Sequence, residues 1–240
     1  MKILSDRINR IYRMKKQEPY SENPVDPVNP VLKFFWRIMI ALALCILAPP
    51  PLRGVEKPPL DLSPEDRAVL EKGELVMKVE EFKDAKGNLC HRLRTYRIIA
   101  VPPEEVWKVL SEPEKDREWI PGMDVSEVMN RGKDQVDVHY EVTVLFMVFQ
   151  FNIHRVFHPD ILFIKNDLIE GMENDLTMAD SYYALYPADD GKKTIMNYSL
   201  RLAVSSSIPK AVEDWFAKMS SKGWMENLKK RAESKGTWKK

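Results

Sequence analysis

Ala100-Val-Pro-Pro-Glu-Glu-Val-Trp-Lys-Val-Leu-Ser-Glu-Pro-Glu-Lys-Asp-Arg-Glu-Trp-Ile-Pro-Gly122 is the stretch on which the reading of this chain turns. Two prolines and two acids open a helix at Pro102, because proline tolerates the first helical turn and carboxylates favour its N-terminal dipole. Val106, Val109 and Leu110 then recur at helical spacing and form one apolar face. A second short helix is expected from Glu112 to Trp119, and Ile120-Pro121-Gly122 stops it. The segment is thus two short helices set between stretches that read as strands.

Upstream, Glu74–Phe82 and Leu89–Val101 are predicted strands joined by the turn Asp84–Asn88, which makes a hairpin. Ser63-Pro64-Glu65-Asp66 before them is a helix start, and Gly73 is its stop. Downstream, strands are expected over Asp124–Asn130, Gln135–Val144, Asn152–Phe157, Ile161–Glu170, Ser181–Tyr186 and Thr194–Val204. Pro159, Gly171, Pro187 and Gly191 punctuate them. Gln135–Val144 alternates strictly, with Val136, Val138, Tyr140, Val142 and Val144 on one face and polar residues on the other. A long helix is predicted from Ser207 to Glu233. Its first apolar stripe is Val212, Trp215, Phe216 and Met219; the second is Trp224, Met225, Leu228 and Ala232. The stripe changes side at Ser220–Gly223, which reads as a kink or a handover between surfaces. Helices before and after a run of strands, with no internal repeat, indicate α+β rather than α/β.

Apolar residues form 44% of the chain and charged residues 30%, enough for an ordinary core without a disulfide scaffold. The two cysteines, Cys45 and Cys90, leave one thiol in the folded part, so a disulfide within it is not expected and a Cys-rich zinc site is excluded. The net charge of +1 divides into about +5 over residues 1–60 and −4 over residues 61–240. A mildly acidic domain argues against nucleic acid as a partner.

The basic excess lies beside the run Val31–Ala48, which holds eleven uncharged apolar residues from Ile38 to Ala48 before Pro49-Pro50-Pro51. A spanning helix needs about twenty such residues. Eleven fits a signal-peptide core behind Lys33 and Arg37, or an uncleaved anchor. Residues 31–48 are therefore expected to export the domain to the periplasm or another extracytoplasmic space. Residues 1–30, polar and proline-rich, read as a disordered extension that translation from a start at Val31 would omit. Residues 49–60 read as a Pro-rich linker, and residues 61–240 as the domain.

Chemistry-bearing motifs are sparse. His154 and His158 share a strand face but lie about 13 Å apart, too far for one metal ion. His91 and His139 stand alone, so no metal is expected and the histidines read as ordinary strand residues. No G-x-S-x-G, Walker-type or G-x-G-x-x-G sequence occurs, so no cofactor is expected. Glu170, Glu173 and Asp175 have the spacing of a solvated loop. Val144-Leu-Phe-Met-Val-Phe-Gln-Phe151 lacks Gly and Pro, yet its apolar parity switches. Either an apolar turn or a bent strand is required there. If it is a turn tip, Leu145, Phe146 and Phe149 are candidate membrane contacts; a buried bend would be core.

The Ala100–Gly122 opening, the strand run after it and Ser207-Ile208-Pro209 before the last helix together resemble the START-like (SRPBCC) superfamily. The flavour is that of its polyketide cyclase and coenzyme Q-binding branch, over residues 74–234. The resemblance implies a helix-grip fold: a curved antiparallel sheet of about seven strands around the C-terminal helix, with an apolar cavity between. It implies a hydrophobic ligand such as a lipid, quinone or sterol-like molecule. With strand alternation and the first helical stripe, it places Trp119, Tyr140, Val142, Tyr183, Tyr198, Leu200, Trp215, Phe216 and Met219 on the cavity wall. No catalytic residue carries over, because these motifs position helices. The leading expectation is a non-catalytic binder or carrier. The alternatives are a cyclase or dehydratase using the same cavity, which a buried, partnered acid or histidine there would favour, and an interaction module with no cavity.

Overall fold

The computed structural model describes residues 55–83, 89–144, 146–204 and 222–240. Glu56–Lys240 form one compact unit. In chain order its elements are α1 (Pro64–Glu71), β1 (Val76–Lys83), β2 (Leu89–Ile99), α2 (Pro103–Leu110), a 3-10 helix (Pro113–Glu118), β3 (Met123–Arg131), β4 (Gln135–Val144), β5 (Met147–His158), β6 (Phe163–Leu168), β7 (Leu176–Ala188), β8 (Lys193–Val204) and α3 (Trp224–Glu233). The strands make one antiparallel sheet in the order β1-β2-β8-β7-β6-β5-β4-β3. It has eight strands rather than about seven, because β1 extends the edge beyond β2.

Local chemistry sets the helix boundaries. Ser63 caps α1 by accepting from the Asp66 amide at 3.1 Å, while the Asp66 carboxylate accepts from the Ser63 amide at 2.9 Å. This capping box satisfies two amides that the first turn leaves free. Gly73, at φ +79°, ends the helix in the left-handed region that suits glycine. In α2 the buried residues are Pro103, Val106, Val109 and Leu110, the face the spacing predicts. The second short helix is tighter than an α-helix, and the Ser126 hydroxyl pins it to β3 by donating to the Pro113 carbonyl.

Two cores result. The larger lies on the inner face of the sheet under α2, the 3-10 helix and α3, and takes every even residue of β4 from Val136 to Val144. All four residues of the second helical stripe, Trp224, Met225, Leu228 and Ala232, are buried in it. Arg97 to Glu226 (2.7 Å) and Asn227 to the Trp119 carbonyl (2.8 Å) fix how α3 lies. The smaller core lies on the outer face, where α1 and residues 60–62 cover Val76 and Tyr96. Residues 1–54 and 205–221 are outside the described residues. The export segment and the cavity-wall positions Trp215, Phe216 and Met219 fall there, and the predicted kink at Ser220–Gly223 straddles the boundary.

Between β4 and β5 the chain reverses after Val144, which pairs with Met147, and Phe146 is a turn residue. The parity switch is thus a tight apolar hairpin turn, not a bend. Leu145 lies outside the described residues. Phe146 is fully exposed, whereas Phe149 is only 4% exposed and belongs to the core. Phe149 is therefore corrected: it pairs with Val142 on the inner face, and its parity turns it away from any contact at the tip. Met147 and Val148, not singled out from the sequence, are exposed there instead.

Candidate functional site: a cavity with one polar end

A cavity of about 120 Å³ remains between the inner face of the sheet and the helices. Tyr140, Val142, Tyr183, Tyr198 and Leu200 line it, five of the nine residues expected on its wall. Trp119 does not. It is buried behind the wall, with its ring 5.5 Å from that of Trp224, and Trp224 takes the lining position. Strands β4, β7 and β8 carry the first five on their inner faces; α3 supplies the last.

The aromatic side of the cavity is a cluster of stacked, near-parallel rings. The Trp224 ring lies 5.5 Å from Tyr183 at 14° and 4.5 Å from Tyr198 at 26°. Tyr183 and Tyr198 are 5.2 Å apart at 22°. Burial pushes the Tyr183 phenol up to about 12, and burial raises Tyr140 and Tyr198 well above their usual value. All three stay protonated at neutral pH and keep a hydroxyl hydrogen to donate.

A polar row crosses this apolar surface. The register sets Arg155 of β5 beside Asn166 of β6, and Asn166 beside Ser181 of β7. Arg155 Nε donates to Asn166 Oδ1 at 2.8 Å, and Asn166 Nδ2 donates to Ser181 Oγ at 3.1 Å. The guanidinium also donates from Nη1 to the Leu110 carbonyl (3.1 Å) and from Nη2 to Asp116 Oδ2 (3.2 Å) and the Tyr140 hydroxyl (3.0 Å). Tyr140 in turn donates to Asp116 Oδ2 at 2.9 Å. Arg155 is 3% exposed and Asp116 1%, so this is a fully desolvated ion pair. It ties the end of α2 and the 3-10 helix to the middle of the sheet.

Burial pushes the Asp116 carboxyl up to about 6, against the pull of the Arg155 guanidinium and the Tyr140 hydroxyl. Burial works against the Arg155 charge too, but the neighbouring Tyr140 and Asp116 outweigh it and hold the guanidinium cationic. Asp116 Oδ1 is buried with no hydrogen-bond partner among the described residues. Both residues line the cavity. The cavity therefore offers an unmatched acceptor beside a fixed cation, with tyrosine hydroxyls nearby. The other cavity walls are aliphatic or aromatic: Ile120, Met123, Phe151, Ile153, Leu176 and Leu202.

Sequence reading missed Asp116, Arg155, Asn166 and Ser181. One signal was present: Arg155 has the parity of Phe151 and Ile153, so a charge sat on an inward face. Among the described residues no group of three or more His, Cys, Asp or Glu could hold a metal ion. His154 is 2.6 Å from Asp137 and His139 is 2.9 Å from Asn152, both pairs half-buried and away from the cavity.

Residues 99–229 match the family described as polyketide cyclase / dehydrase and lipid transport. Similar solved structures include the Zhui aromatase/cyclase from Streptomyces sp. R1128, at 15% identity and TM-score 0.54, covering 60% of this chain and 94% of that one. A STAR-related lipid transfer protein from Xanthomonas axonopodis is 15% identical with TM-score 0.51, covering 65% and 98%. Human STARD10 is 16% identical with TM-score 0.52, covering 76% and 83%. No curated protein matches in sequence. At these identities the structures speak for the shared helix-grip fold alone, while the family match spans more than half of the chain. The protein belongs to the polyketide cyclase / dehydrase and lipid transport family.

Proposed function

We propose that the domain binds, and carries, an amphipathic small molecule whose apolar body fills the cavity and whose polar group meets Asp116 and Arg155. The observation that carries this reading is the buried, unmatched Oδ1 of Asp116 at the polar end of a largely apolar cavity. A buried acceptor without a donor costs about 1–3 kcal/mol. A ligand hydroxyl would remove that cost, and a ligand carbonyl would be met by the tyrosine hydroxyls. The stacked Tyr183, Tyr198 and Trp224 rings suit a single flat ring such as a quinone headgroup. Native mass spectrometry of the full chain from its own host should show a bound molecule of this kind. Leu200→Trp should release it while costing only about 1–3 kcal/mol by overpacking. A chain that arrives empty, and stays empty when offered quinones, sterols and phospholipids, would refute the reading.

A second reading is favoured by the same acid. A buried carboxyl near pKa 6 beside a fixed guanidinium is suited to take and return a proton while the cation stabilises developing oxyanion charge. That is the chemistry of a cyclase or dehydratase. Turnover of an aromatic polyketide mimic, abolished in Asp116→Asn with binding retained, would select it over the carrier. With either reading we propose that the domain works outside the cytoplasm, on the strength of the apolar run before Pro49.

A further inference from the structure

The two edges of the sheet are built differently. β3 carries register shifts between Met123 and Val125 and between Val128 and Asn130. Such irregularities bend an edge and spoil it as a template for another strand. β1 has none: it pairs with β2 residue for residue, from Val76 opposite Tyr96 to Lys83 opposite Leu89. It contains no proline and no glycine. Among the described residues no backbone amide or carbonyl of β1 bonds to anything but β2. Val79 is 63% exposed and Met77 44%, large apolar side chains that this edge leaves in water.

A straight edge without these protections invites another strand, and its side chains say which one. Residues directly opposite in an antiparallel pair share a face of the sheet. Two copies of β1 related by a two-fold axis therefore pair residues of like parity, with the axis at one residue. Axes that engage most of the strand lie at Lys78, Val79, Glu80 or Glu81. At Lys78, Glu80 or Glu81 the axis sets a charge against its own copy, which is unfavourable. At Val79 it sets Lys78 opposite Glu80, and by symmetry Glu80 opposite Lys78. Val79 then meets Val79, and Val76 meets Phe82.

The charges at this junction already alternate. Lys78 Nζ is 2.9 Å from Asp66 Oδ2, and Glu80 Oε1 is 3.3 Å from Arg94 Nη1. A Lys78–Glu80 pair between copies extends these into the row Asp66, Lys78, Glu80, Arg94, alternating in sign, once on each side of the axis. Neither group has to give up its own partner to make the new pair.

We infer that the chain forms a two-fold dimer in which β1 pairs antiparallel with β1 of a second copy, centred on Val79, so that one continuous sheet runs through both domains. The axis stands perpendicular to the sheet, which puts both inner faces, and with them both cavities, on the same side. A strand-to-strand contact is small, so the dimer dissociates on dilution through the micromolar range. None of this depends on what the cavities bind.

The test uses the full chain carrying Cys45→Ser and Cys90→Ser, in detergent because of the apolar run before Pro49. Sedimentation should show a monomer–dimer equilibrium. Val79→Lys, at an exposed position, sets two lysines together at the axis and should raise the dissociation constant by about tenfold or more. Association through residues 31–48 would be unmoved by that change and would overturn the proposal, as would a chain that is monomeric throughout the micromolar range. Lys78→Glu and Glu80→Lys should each weaken self-association, because both pairs across the axis become repulsive. Mixed together, the two variants should pair, because each then meets its opposite. With one variant uniformly labelled with nitrogen-15, native mass spectrometry resolves the mixed dimer. Undiminished homodimers of either variant, or no mixed dimer from variants that circular dichroism shows to be folded, would overturn it. The register is read independently by mild oxidation. Val79→Cys should form a disulfide with its own copy, whereas Glu81→Cys, about 13 Å from its copy at the usual strand rise, should not. Equal crosslinking at the two positions, or none at position 79, also overturns the proposal.

Discussion

Replacing Arg155 with methionine should be among the most damaging single changes in the domain, and a second replacement should repair most of it. The side chain is 3% exposed and donates to Asp116, Tyr140, Asn166 and the Leu110 carbonyl. Without it the Asp116 carboxylate is a buried charge with only the Tyr140 hydroxyl for company. Breaking a buried pair from one side costs about 3–5 kcal/mol, a large part of a typical total of about 5–15 kcal/mol. Arg155→Met with Asp116→Leu removes both charges and their desolvation. What remains is the loss of a donor to Asn166 Oδ1 and to the Leu110 carbonyl, about 1–3 kcal/mol at most per unmatched group, and less where water in the cavity can substitute. The double variant should therefore be more stable than Arg155→Met alone by about 2 kcal/mol, a non-additivity expected of groups in direct contact. Urea unfolding followed by tryptophan fluorescence and by circular dichroism, at pH 7, measures all three midpoints. If Arg155→Met costs less than about 1 kcal/mol, or if the double variant is no better than the single, Arg155 is not neutralising a buried Asp116 charge, and the site must be redrawn.

The carboxyl raised to about 6 makes a pH prediction of definite sign. The folded chain binds the Asp116 proton more tightly than the unfolded chain, whose carboxyl titrates near its ordinary value. This group's contribution to stability is thus full below about pH 4 and is lost as pH rises to about 6, by up to about 1.4 kcal/mol per unit. Asp116→Asn should flatten that part of the urea-midpoint profile between pH 4 and 6.5; an unchanged slope would show that the acid is not perturbed. Ser63→Ala should cost about 1 kcal/mol by removing the cap of α1, read as earlier thermal loss of the outer-face core, with Ser63→Asn restoring it. A reporter fused after Lys240 should be active on the periplasmic side, and cytoplasmic activity would end the proposal of export.

Most of the fold was legible because its signals are local. Gln135–Val144 was bounded correctly by alternation alone, since a strand with one buried face must place every second residue inward. Proline with early acids marked α2, and Ser63-Pro64 marked α1, because these residues act within a turn of themselves. Lengths were less legible. β5 starts at Met147 and β7 at Leu176, five residues earlier in each case than their apolar alternation suggested. In β7 the register shifts between Leu176 and Met178, which breaks the alternation a pattern reading relies on. In β5 the apolar turn hid the boundary, since Leu145 and Phe146 are not turn residues by composition.

The site was half legible, and the division has a physical cause. Tyr140, Val142, Tyr183, Tyr198 and Leu200 were found because an inward aromatic or aliphatic residue is cavity wall or core by parity alone. Asp116, Asn166 and Ser181 were not, because nothing within any one segment makes them a site. Asp116 sits in a charged run, Pro113–Glu118, in which Glu114 is exposed and Glu118 half-buried, and only the packing of the 3-10 helix on β3 and β4 buries it fully. Asn166 and Ser181 become functional candidates only when the register of three strands sets them beside Arg155. Arg155 was the exception, a charge on an inward face flanked by Phe151 and Ile153. An arginine placed there must find a carboxylate and several acceptors or the strand cannot bury. A single inward charge in a cavity-forming sheet therefore announces a polar network whose other members the sequence does not name, and under the binding function proposed above it marks the end of the cavity that would meet a ligand's polar group.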